Sequence, residues 1–184
     1  GIRSWTEEHF DFSGYITGLD DHTPDRAALR AELGFGDDEL VCIATVGGSS
    51  VGTALLDLVV RAHPLARARV PELRTIAVTG PRIDPASLPT GDGLEAVGFV
   101  PGLDWYLAAC DLAIVQGGLT TAMELTAHQR PFIYFPLGHH FEQQLHVPHR
   151  LQRYGAGRRM DYGDTDPDRL AAAWVEEIGR SVQY

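Results

Sequence analysis

Short, continuous apolar runs alternate along this chain with stretches whose apolar residues recur every three or four positions. The runs predict strands at 39–46 (ELVCIATV), 73–80 (LRTIAVTG), 94–100 (LEAVGFV), 112–115 (LAIV), 131–136 (PFIYFP) and 157–162 (GRRMDY). The helical spacing predicts helices at 23–34, 53–63 up to Pro64, 103–110, 120–129 and 166–179. A further helical stretch at 141–154 contains Pro148, which should kink it. Strands that are apolar throughout are buried on both faces, which calls for a parallel sheet covered by helices. The expected fold is α/β: an open, doubly wound, mostly parallel sheet of about six strands in one domain over 23–184. Residues 1–22 show no such pattern and read as irregular, a linker or the end of a preceding domain.

In open sheets of this kind, ligands bind beyond the carboxyl ends of the strands. That directs attention to four loops: GGSSVG, GFVPGL, QGGLTT and LGHHFEQQ. Composition narrows what they could hold. The formal net charge is −10, and acidic residues cluster at 36–40 and 161–168. No basic stripe remains to neutralise a nucleic-acid backbone. An anionic ligand would need local donors, because the overall field opposes it. The two cysteines, Cys42 and Cys110, suit reduced core thiols better than a disulfide framework. No apolar run approaches the roughly 20 residues of a membrane span. The chain opens without Met and reads as entered partway, so a piece of a larger protein is expected.

Candidate chemistry starts at VGGSSVGTA (46–54), where glycines follow a strand and precede a helix, so that backbone N–H groups can approach a phosphate. Gly47 and Gly52 have the spacing of a P-loop, but Thr53 stands where its lysine should be, and no G-x-G-x-x-G is present. The same loop contains G-x-S-x-G at Gly48–Gly52. A serine hydrolase would use Ser50 as nucleophile with Asp111 and either His139 or His140, although such an elbow should not follow the first strand of the sheet. The second junction is VQGGLTTAMEL (115–125). Gly117 and Gly118 permit close approach, and Thr120 and Thr121 place hydroxyls at a helix N-terminus. A purely structural account is also available: Thr121 and Glu124 fit a T-x-x-E capping box. That account leaves the two glycines and the similar junction at Gly47 unexplained. Downstream, Glu142, Gln143 and Gln144 can donate and accept toward a polyhydroxyl ligand. His139, His140, His146 and His149 lack a metal-ligand spacing.

As a set, the glycine loop after the first strand, GFVP, the Gly-Gly-x-Thr-Thr turn with Glu124 and the double glutamine resemble the nucleotide-sugar-binding half of GT-B glycosyltransferases. The likeness is greatest to family 28, the MurG-like enzymes, and covers nearly all of residues 38–180. It implies that Gly47, Gly48 and Ser49 lie near the donor diphosphate, and that Gly117, Gly118, Thr120 and Thr121 hold phosphate. Phe99 and Val100 would meet the base and Glu124 the ribose hydroxyls. Gln143 and Gln144 would read the sugar, with Glu142 and His140 in the same loop. Gln116 stands where many members carry His, and Phe141 or Glu142 where related enzymes carry Asp. The resemblance further implies an inverting hexosyltransferase that uses a nucleotide-diphosphate sugar, UDP-linked by preference, with no metal or other cofactor. Its acceptor site and catalytic base would lie in an N-terminal domain missing from this chain, leaving the chain alone inactive. Location would be cytoplasmic, with any peripheral membrane contact made by the missing domain. A stand-alone donor-binding subunit with a partner chain, and a nucleotide-sugar epimerase of the same fold, remain open beside the hydrolase.

Overall fold

A computed structural model describes residues 1–11, 25–48 and 50–184. Strands β1 (Leu40–Thr45), β2 (Leu73–Val78), β3 (Leu94–Val97), β4 (Leu112–Val115), β5 (Phe132–Tyr134) and β6 (Arg158–Arg159) form one sheet in the order β3-β2-β1-β4-β5-β6. All of its strand pairs are parallel. The helices are α1 (Ile2–His9), α2 (Arg26–Glu32), α3 (Thr53–Arg67), α4 (Leu103–Ala109), α5 (Leu119–Ala127), α6 (Val147–Tyr154) and α7 (Pro167–Glu177). Within the stretch expected to be irregular, α1 is therefore helical, but it buries no residue. The expected linker at 12–22 and the expected helix start at 23 and 24 lie outside the described residues.

Alternate residues of each strand enter opposite cores, as the pleat requires. Cys42, Ala44, Leu112, Ile114 and Ile133 pack with α3 and α7 on one face. Val41, Ile43, Ala113, Val115 and Tyr134 pack with α2, α4, α5 and α6 on the other. The register aligns like with like, since Cys42 pairs with Leu112 and Ala44 with Ile114. Helix α3 continues through Pro64 to Arg67 instead of stopping there. Ala62 and Ala66 on either side of the proline are fully buried, so packing outweighs the lost N–H donor. Pro148 acts differently. It lies at the second position of α6, directly after a π-helical turn, Glu142–His146. A proline that cannot donate to the preceding turn favours such a widened register.

Both cysteines are free and buried on opposite faces of the sheet. Burial raises both thiols, Cys110 to about 12, so neither is a thiolate at neutral pH.

One buried carboxylate ties α2 to the amino end of the sheet. Asp111 precedes β4 and accepts from Arg26 Nη2 at 2.5 Å, Arg30 Nη1 at 2.9 Å and the Val41 amide at 2.8 Å. Arg30 also donates to the carbonyls of Gly36 and Glu39, each at 2.8 Å. Removing the acid would leave a buried amide without this acceptor and an almost buried guanidinium without its counter-ion. Asp111→Ala is therefore expected to cost about 3 kcal/mol, at the low end for a broken buried pair because Arg26 is partly exposed. Urea unfolding measures this, and a cost below about 1 kcal/mol would show that the cluster does not anchor α2.

Candidate functional site

From β1 the chain runs outward through β2 to β3, then returns to place β4 on the other side of β1. The helix after β1 packs on one face and the helix after β4 on the other, so the loops at these two strand ends diverge and leave a crevice. The two glycine junctions stand at this point. Ser49 lies outside the described residues. Gly47 and Gly48 are exposed, and a Cβ on Gly48 would meet nothing within 4 Å. Gly52 has no such room: its Cβ would come 2.3 Å from Val46 Cβ, so the turn into α3 can close only on a glycine.

Across the crevice, Gly117 has φ +76, and its Cβ would lie 3.0 Å from the Tyr134 ring. Gly118 follows in extended conformation and is itself the N-cap of α5, with no side-chain cap and nothing within 4 Å of its Cβ position. The amides of the first turn, at Leu119, Thr120 and Thr121, donate to no acceptor among the described residues and have the dipole behind them. The N-cap is Gly118, three residues before the Thr121 that a T-x-x-E box would use as its cap. Thr121 is the third residue of α5 and Glu124 lies in the second turn, so the T-x-x-E capping box is overturned.

Without a capping role, Glu124 has a different character. It is half-buried, and no hydrogen-bond donor among the described residues meets its carboxylate. Burial, and secondarily the Asp104 carboxylate on α4, raise its pKa above the ordinary value. Gln116 links the two junctions. It is buried, and its Oε1 accepts from the Gly47 amide at 3.3 Å. Its Nε2 and the Tyr162 hydroxyl are both buried without a formed hydrogen bond. Burial raises the Tyr162 phenol, and Gln116 opposes part of that rise. Sequence reasoning assigned Gln116 no contact, because nothing local in 115–118 points toward residue 47.

The loop after β5 is held by its own glutamines. Gln143 Oε1 accepts from the Leu137 amide at 3.0 Å. Gln144 Nε2 donates to Pro136 O at 3.3 Å and Leu137 O at 3.1 Å, while its Oε1 accepts from Arg159 at 2.9 Å. His140 is exposed and Glu142 partly so, with neither side chain in a hydrogen bond among the described residues. After β3, Phe99 is 72% exposed, whereas Val100 packs partly into the core. The serine-hydrolase arrangement is ruled out by topology. Asp111 precedes β4 at the amino end of the sheet and is saturated by two arginines, whereas Ser50, His139 and His140 follow strands at the carboxyl end.

The family model described as Glycosyltransferase family 28 C-terminal domain matches residues 42–180. The UDP-N-acetylglucosamine--N-acetylmuramyl-(pentapeptide) pyrophosphoryl-undecaprenol N-acetylglucosamine transferase of Mycobacterium sp. (strain JLS) is 36% identical over 154 residues, 80% of this chain and 40% of that protein. The glycotransferase of kitacinnamycin superposes with a TM-score of 0.69 at 22% identity, covering 92% of this chain and 41% of that one. Acinetobacter baumannii MurG superposes with a TM-score of 0.62 at 16% identity, covering 91% and 48%. The chain thus spans about two fifths of the length of the curated relatives it matches.

The half-buried carboxylate yields a prediction for the unliganded protein. Its raised pKa means that the folded state binds a proton more readily than the unfolded chain, so the charged form costs stability above the raised value and nothing below the ordinary one. Glu124→Gln is expected to leave thermal stability unchanged or higher at pH 7, with any gain vanishing at acid pH below the ordinary carboxylate range. Calorimetry at both pH values checks this, and a loss at pH 7 would restore a structural bond to Glu124.

Proposed function

The chain belongs to the glycosyltransferase family 28 C-terminal domains, and from that premise we propose that it binds the nucleotide-diphosphate-sugar donor of an inverting glycosyltransferase. The observation that carries this reading is the crevice between β1 and β4. Two glycine junctions stand at it, with open space over Gly48 and Gly118, and one turn into α5 the Glu124 carboxylate has no partner among the described residues. In a protein of net charge −10, a diphosphate needs local amides and a helix dipole, which both junctions offer. Glu124 can accept from two ribose hydroxyls, and such bonds to an ionised acceptor are stronger than neutral ones. Phe99 offers an exposed aromatic face to a base, and the loop with His140, Glu142, Gln143 and Gln144 lies toward the sugar. Relatives named as UDP-N-acetylglucosamine transferases favour UDP over other nucleotides.

Chemistry at this site is leaving-group stabilisation. As an acceptor hydroxyl attacks the anomeric carbon, the glycosidic C–O bond breaks and negative charge grows on the diphosphate. Amides preorganised at the start of α5 would stabilise that transition state more than the ground-state diphosphate diester, which carries less negative charge. The general base and the acceptor site belong to the remainder of the enzyme, so this chain alone binds donor and transfers nothing.

Thermal unfolding with UDP, dTDP, GDP and ADP is the direct test. A ligand at a hundred times its Kd adds about 2.7 kcal/mol, which at this size raises the midpoint by several degrees. UDP is expected to produce the largest shift, and absence of a shift with all four would sink the proposal. Glu124→Gln should weaken nucleotide binding about tenfold by calorimetric titration, the value of a charge-assisted hydrogen bond. Unchanged affinity would remove Glu124 from the ribose site.

A further inference from the structure

The opposite end of the sheet carries a second feature. The amino ends of β4 and β5 and the segment after α7 enclose a cavity of about 240 Å³, lined in part by Arg26, Asp111, Gln129, Arg130, Arg180 and Ser181. It is smaller than the roughly 300 Å³ at which pockets for drug-sized molecules begin. Among the described residues its positive charge is incompletely matched. Asp111 is already held by Arg26 and Arg30, and Glu177 lies 3.1 Å from Arg180 and 3.6 Å from Arg158. Arg130 is left over. Its Nε donates to His128 O at 2.9 Å, and no carboxylate among the described residues lies in ion-pair range of its guanidinium. Burial first, then the neighbouring Arg26 charge, lower its pKa from the ordinary arginine value. Arg26 Nε is also buried without an acceptor, and the amides of Ser181 and Val182 meet none among the described residues.

The cavity wall is pinned at defined points. Gln129 follows α5 at φ +55, a left-handed position that glycine usually fills. A glutamine there spends backbone strain to place its Oε1, which accepts from the Tyr184 amide at 3.1 Å. Tyr184 Oη donates to Arg130 O at 3.2 Å, and the Gly179 amide donates to Asp111 O at 3.2 Å. The closing segment is thus fastened on both sides of Arg130.

We propose that this cavity binds a free, phosphate-sized oxyanion. Planar guanidinium forks suit an acceptor with several oxygens, and the cavity admits an ion of that size better than an organic ligand. With a net charge of −10, a surplus of cations confined to one small enclosure is a local design and not part of a diffuse basic field. The site is separate from the glycine junctions and does not depend on the donor reading.

The test uses inorganic phosphate as probe, with ionic strength held constant by sodium chloride, and follows the unfolding midpoint of the full chain. Because phosphate could also reach the glycine junctions, Gly118→Val serves to block that end. The proposal expects saturable stabilisation in the parent protein and in Gly118→Val, and affinity about tenfold weaker in Arg130→Met, with Arg130→Lys between. No stabilisation of the parent, or affinity unchanged in Arg130→Met, would overturn it. Stabilisation lost only in Gly118→Val would place the ion at the other end and overturn it too. If Arg130→Met does not fold, Arg180→Gln decides, because its side chain is largely exposed. A loss of roughly threefold or more supports the site, and unchanged affinity rejects it.

Discussion

The adjacency of β1 and β4 governs this molecule. They are separated by two strands and two α-helices in sequence, yet they pair in parallel from Cys42 with Leu112 to Thr45 with Val115. Their side chains enter the same two cores in the same register, so the pairing cannot slip by one residue without inverting both. Because the following helices leave toward opposite faces, the loops must part, and the parting is the crevice. The bond from the Gly47 amide to Gln116 Oε1 then sets how far they part. It also removes one amide from those available to a ligand, which assigns the open amides at the start of α5 the larger share of any anion.

Charge is arranged in a related way at the two ends of the sheet. The carboxyl end uses backbone groups: glycines, first-turn amides and a helix dipole, none of which adds formal charge. The amino end uses side chains, with arginines gathered around Asp111 and the C-terminal segment. Backbone donors suit a site that must let a bulky ligand approach and leave, since they project nothing into the crevice. Arginine forks suit a site that is enclosed, where each guanidinium is positioned by a carbonyl or a carboxylate already bonded to it.

The architecture was readable from periodicity because the strands are buried on both faces, which produces mainly apolar runs at 40–45, 73–78, 112–115 and 132–134, broken only by Thr45, Arg74 and Thr75. The last strand was overestimated: GRRMDY contributes only Arg158 and Arg159, since a sheet edge needs little apolar content. The start of α5 was misplaced because adjacent threonines are strong capping signals, whereas an extended glycine caps with no side chain to announce it. Asp111 and Gln116 were beyond local reading altogether. Their partners stand 70 or more residues away in one case and 69 in the other, and only the folded sheet brings them together.

Glu124 is the point at which fold and proposed function meet. A carboxylate that is half-buried, beside another acid and without a cation or donor among the described residues, works against the native state at neutral pH. If it served the fold, a glutamine there would serve as well and avoid the charge. Its position, one turn behind the first amides of α5, instead suits the proposed ligand, whose anionic part would meet the amides and whose neutral hydroxyls would meet the acid. Exchanging these two partners would fail on both counts, because the acid would repel phosphate and the amides could not accept from hydroxyls. In the proposed donor complex, the orientation of the nucleoside diphosphate would follow from the sign of these two groups, with the diphosphate toward Gly118 and the ribose toward Glu124.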